Sequence, residues 1–130
     1  MATTPQFAST ANNASAIASA TLDTSLTAPT NVATIFTAGT SGSKCDELVF
    51  EGLGTTVAGV INVFLYDGST YNLFDQFVVP AITSSTTAAA YRVSKGYANL
   101  VLKTGWTIRF TVTVAGLQSL IKGHAFGGDF

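Results

Sequence analysis

The chain of 130 residues holds one histidine, His124, one cysteine, Cys45, and seven acidic residues. A nucleophilic triad would need His124 as base, Asp129 as its orienting acid and one of the many serines as nucleophile. No Gly-x-Ser-x-Gly elbow exists to hold such a serine. His124 reads more simply as a polar residue on a terminal strand. A zinc site needs several His or Cys ligands at workable spacing, and one of each cannot complete it within one chain. Asp23, Asp67 and Asp75 make no calcium loop, because DGSTYNLFD lacks the alternating acidic ligands and the closing Glu. Asp46, Glu47 and Glu51 are the nearest thing to the paired carboxylates of glycoside hydrolysis. Their context favours solvating one end of a strand. The glycines of FTAGTSGSK lack the Gly-Lys-Ser/Thr element that closes a phosphate loop, and no dinucleotide fingerprint is present. These readings give no catalytic residue, no metal ligand and no cofactor. The expectation is a protein that is not an enzyme.

The elements carrying these residues are dictated by an unusual composition. Charged residues make up 10% of the chain, against about 25% in an ordinary soluble domain. Serine, threonine, alanine and glycine take their place, which points to a surface partly covered by partners. Net charge is −1, and the six Lys and Arg are scattered. Direct nucleic-acid binding is not expected, since it needs clustered cations to neutralise phosphates. The opening MATTPQFASTANNASAIASA lacks the basic and apolar regions of a signal peptide. No stretch approaches the ~20 apolar residues that span a bilayer, so no membrane role is expected. Cys45 has no intrachain partner and reads as a small buried hydrophobe.

From Asn31 onward the apolar period is two. NVATIFTA alternates Val32, Thr34 and Phe36 against Ala33, Ile35 and Thr37. CDELVFEG sets Cys45, Glu47, Val49 and Glu51 against Asp46, Leu48 and Phe50. GVINVFLY is apolar on both faces, the mark of a central strand. Asp67-Gly68 then signals a hairpin, with Gly68 taking a positive φ. YNLFDQFVV runs to Pro80, which cannot donate to a ladder. Further strands are read in AAYRVSKG, ANLVLKTG, WTIRFTVTV and LQSLIKGHAFGG. The pattern predicts an all-β, single-domain antiparallel β-sandwich or jelly roll over residues 16–130. Phe36, Phe50, Phe64, Trp106 and Phe110 are its expected core. Residues 1–15, small and polar with the single aromatic Phe7, read as an extended N-terminal arm.

Three stretches carry a family resemblance: FTAGTSGSKCDELVFEG, GVINVFLYDGSTYNLFDQF and the terminal GHAFGGDF, together with the opening MATTPQFA. They resemble small structural proteins of tailed-phage and prophage head gene clusters that decorate or cement the capsid. The resemblance runs from about Asn31 to Phe130. It implies a jelly roll that binds the outer surface of the shell as a homotrimer, with the major capsid protein as partner. It further implies a virion location, with assembly in the host cytoplasm.

On this reading Pro5, Phe7, Phe126 and Phe130 are the candidate partner contacts, and Asp67 and Gly68 are the turn-critical pair. A phage tail, fibre or baseplate module is an alternative with a similar sandwich. A small glycan-binding sandwich is another, in which Tyr66, Tyr71 and Trp106 would line a groove, although core packing accounts for those aromatics more simply.

Overall fold

The computed structural model describes residues 7–130. Nine strands follow one another: β1 (Thr10–Ile17), β2 (Ala33–Thr37), β3 (Ser43–Gly52), β4 (Gly59–Tyr66), β5 (Tyr71–Val79), β6 (Arg92–Gly96), β7 (Val101–Leu102), β8 (Thr107–Val112) and β9 (Ile121–Asp129). They make two antiparallel sheets packed face to face. One runs β1-β9-β3-β6, with β7 beside β3, and the other runs β2-β8-β4-β5. Apart from the short β7, the strands nest as pairs: β1 with β9, β2 with β8, β3 with β6, β4 with β5. A long hairpin rolled on itself gives this nesting, which is the jelly roll. There is no helix among the described residues, and none long and apolar enough to cross a membrane.

The β4–β5 hairpin forms where apolar runs flank Asp67-Gly68. Gly68 has φ = 101°, a conformation that costs a side-chain-bearing residue energy. Asp67 Oδ1 accepts hydrogen bonds from the Ser69 N–H at 3.0 Å and the Thr70 N–H at 2.8 Å, which closes the turn. β4 lies between β8 and β5, and Ile61 to Phe64 are all buried. Alternation sends Ile61 and Val63 into the space between the sheets. Phe64 points the other way, with Tyr71 edge-on at 5.9 Å.

Three phenylalanines join the sheets. Phe50 of β3 meets Phe77 of β5 and Phe110 of β8, each with ring centroids 5.1 Å apart. Fully burying such a side chain contributes about 1.5–3 kcal/mol. Phe36, Phe50, Phe64 and Phe110 are all fully buried, while Trp106 is half-buried against the core. One open side of the sandwich is tied by Asp75 of β5, which accepts from Lys95 Nζ at 2.7 Å and Tyr97 Oη at 2.8 Å. The other is tied by Asn12 of β1, whose Nδ2 donates to the Thr37 carbonyl at 2.9 Å.

Strict alternation fails at three bulges. An extra residue at Ile35 lets both Ile35 and Phe36 face inward, where strict alternation opposes them. The bulge at Asp46 puts Cys45 on the same inner side as Leu48 and Phe50 rather than with Glu47 and Glu51. The third, at Phe74, turns that ring toward Tyr97 at 5.2 Å. A bulge inserts one residue on one strand and so reverses the phase of the residues beyond it.

The expected boundary at residue 15 also needs correction. It falls inside β1, which pairs with β9 residue by residue from Thr10↔Asp129 to Ile17↔Lys122. Residues 10–15 of the expected arm are therefore an edge strand of the sandwich. Their small and polar side chains give no alternation of hydropathy, although Asn12 and Ala14 are half-buried. The last strand starts later than the sequence suggests, because Leu117–Leu120 is a turn with Ser119 at φ = 56°.

Candidate interaction surfaces

The outer face of the β1-β9-β3-β6 sheet carries the polar chain most suggestive of chemistry. Adjacent strands bring Ser15, His124 and Glu51 together. Ser15 Oγ lies 2.7 Å from His124 Nδ1, and His124 Nε2 lies 2.8 Å from Glu51 Oε1. The partners of His124 are thus Ser15 and Glu51. Asp129, the acid proposed for it from sequence, lies elsewhere, gathered with Ser43 Oγ and Asn12 Nδ2. Acyl transfer also needs donors converging on a developing oxyanion. Strand N–H groups lie in the plane of the sheet, while Ser15 projects out of it. The arrangement therefore fixes the imidazole without completing a hydrolytic site. Beside it lies a shallow recess of about 340 Å³ lined by Glu47, Val49, Glu51, Arg92, His124 and Phe126. The Phe126 ring is 42% exposed and lies 14° from parallel to the His124 ring, with centroids 6.4 Å apart.

A second surface is apolar. Phe7, 85% exposed, lines a recess of about 340 Å³ with Tyr97, Leu100, Val101 and Phe130. Val101, 59% exposed, and Phe130 also line an adjoining recess of about 560 Å³, with Lys103 and Thr104. Cys45 sits behind the first recess. Burial pushes its thiol up to about 11, so it stays protonated and unreactive at neutral pH.

The third surface belongs to the outer face of the β2-β8-β4-β5 sheet. Tyr66 and Tyr71 stack at 4.3 Å, and the Arg109 guanidinium lies 4.2 Å from the Tyr66 ring centroid. Arg109 also donates to Tyr71 Oη at 2.8 Å and to Thr107 Oγ1 at 3.0 Å. Trp106 packs against the core, so the three aromatics weighed for a glycan groove do not form one.

Of the candidate contacts, Phe7 and Phe130 line one recess, and Phe126 lies apart on the outer sheet face with His124. Pro5 lies outside the described residues. The terminal GHAFGGDF has a packing explanation. A Cβ on Gly127 would collide with the Lys44 carbonyl oxygen, where β9 crosses the β3 bulge. Asp129 is held below the usual carboxylate range by hydrogen bonds from Ser43 and then Asn12. The sequence reading missed Ser15, Arg92 and Arg109. Their neighbours depend on strand register, which no local spacing reveals. Among the described residues no group of three His, Cys, Asp or Glu is placed to hold a metal ion. Comparison with protein-family models and with curated proteins finds no match for the chain.

Proposed function

We propose that the protein is a structural virion component that binds the outer surface of a phage capsid as a homotrimer and cements the shell. The observation that carries this reading is the clustering of Phe7, Val101 and Phe130 around two adjoining recesses. Exposed apolar residues gathered in one patch mark interaction surfaces, and aromatics dominate binding hot spots. A trimer presents such a patch three times, and linked contacts reinforce one another through effective concentration. The low charge and the sequence resemblance to capsid-decorating proteins support the same reading. The major capsid protein is the partner, and assembly takes place in the host cytoplasm.

The test adds purified protein to emptied heads built of the cognate major capsid protein. Cosedimentation and electron microscopy measure occupancy, and light scattering measures the oligomer. A trimer that decorates the heads and raises their disruption temperature is the expected result. A monomer that ignores heads overturns the reading, and one that binds tails in their place assigns it to the tail.

A further inference from the structure

We infer that the recess on the outer face of the β1-β9-β3-β6 sheet binds a short, neutral oligosaccharide. The site stands independently of attachment to a shell, since Phe7, Val101 and Phe130 take no part in it. Its floor is Val49, which is buried, and its wall is the exposed ring of Phe126. The C–H groups on one face of a pyranose are weakly positive and settle on the negative face of an aromatic ring.

Around this apolar floor stand groups of both signs. Glu47 and Glu51 accept, and Arg92 donates through a planar fork of N–H groups. Among the described residues, neither the Glu47 carboxylate nor the Arg92 guanidinium has a hydrogen-bond or ion-pair partner of its own. Sugar hydroxyls both donate and accept, so such a mixed, uncommitted set suits them. Glu47, Val49 and Glu51 alternate along one face of β3, and Glu47 to Glu51 spans roughly 13 Å at about 3.3 Å per residue. That length gives the carboxylates separate rings to address.

The site is also rigid. His124 is held at both ring nitrogens, by Ser15 at 2.7 Å and by Glu51 at 2.8 Å. The imidazole and one Glu51 oxygen are therefore set before any ligand arrives, which lowers the entropy lost on binding. The sign pattern selects against anions, because a phosphate or sulfate would meet two carboxylates beside a single guanidinium. A neutral polyhydroxyl ligand meets no such repulsion, and it uses the acceptors and the donor alike.

The experiment titrates the ¹⁵N-labelled full chain with chitobiose, lactose and maltose, each to about 20 mM, and follows amide shifts. At least one sugar is expected to shift Glu47, Glu51, Arg92, His124 and Phe126 with saturation. Phe126→Ala and Arg92→Ala should each weaken that binding about tenfold or more with thermal midpoints kept, because both side chains are solvent-facing. Absence of saturable shifts with all three sugars overturns the proposal. So do shifts confined to other surfaces, or binding that both substitutions leave unchanged. An octalysine peptide that shifts these residues while the sugars do not also overturns it, and assigns the recess to a cationic partner.

Discussion

Tyr97 donates a 2.8 Å hydrogen bond to Asp75, so a residue just past one sheet's edge strand holds the edge strand of the other. Lys95 reaches the same carboxylate oxygen at 2.7 Å. Burial alone would push the Asp75 carboxyl up. The hydrogen bonds from Lys95, Tyr97 and the Gln76 N–H more than reverse this and hold it below its ordinary value of 3.8. The same contact raises the Tyr97 phenol, first through burial and then through the carboxylate beside it.

A carboxyl with a lowered folded-state pKa contributes stability above its unfolded value and loses it as pH falls through the folded value. The wild type should therefore lose part of its stability below about pH 4. Asp75→Asn should unfold more readily at pH 7, by about 1–2 kcal/mol, and show a shallower acid limb. Denaturant midpoints at pH 7 and in the acid range check both. An acid limb equal to that of the wild type would remove Asp75 from the account.

Gly68→Val should cost at least about 1 kcal/mol through the backbone alone. Nothing lies within 4 Å of the Cβ it would add, so crowding plays no part, and φ = 101° is the whole cause. Gly68→Asn should cost less, because asparagine tolerates positive φ better. Chemical denaturation of the pair gives the order, and equal midpoints for both variants would refute it.

Gly127→Ala tests close approach rather than φ. Its methyl would overlap the Lys44 carbonyl oxygen, and backbone cannot yield as a flexible side chain can. A loss of about 3 kcal/mol or more is expected, with poor soluble yield. Circular dichroism and thermal melting measure it.

The amino-terminal segment should divide at Thr10. Deleting residues 2–9 should leave thermal stability nearly unchanged and, on the proposed attachment to heads, lower occupancy there, because it removes Phe7. Deleting residues 2–15 should destabilise the fold as well. It takes six residues from β1 and with them the Asn12 bonds to Thr37 and Asp129. Equal melting temperatures for both deletions would mean that β1 adds nothing to the sandwich.

Much of the fold is legible in the residues. The Asp67-Gly68 hairpin, the strand ending at Pro80 and the alternation Ile108, Phe110, Val112 carry the β4, β5 and β8 assignments, because each rests on a local rule of turn chemistry or period. β1 is not legible, since Ala14 and Ala16 are too small to announce an inner face. The phase changes at Ile35, Asp46 and Phe74 are hidden for another reason: a bulge answers to the partner strand, and the sequence does not name the partner. The same gap hides the Ser15–His124–Glu51 chain, whose members come together only once β1, β9 and β3 lie side by side.

The place of β9 between β1 and β3 has a consequence for biosynthesis. The last of the described strands to be synthesised lies in the interior of its sheet, so β1 and β3 have no common neighbour until it emerges. The β4–β5 hairpin can close early on the nascent chain, whereas Thr10 must wait for Asp129. Pairing across so much sequence is slow, and β1, which carries no charged residue, waits unpaired meanwhile. Until β9 has emerged, neighbouring chains are exposed to mispairing with one another. A lower expression level, which keeps unfinished chains apart, should raise the folded yield.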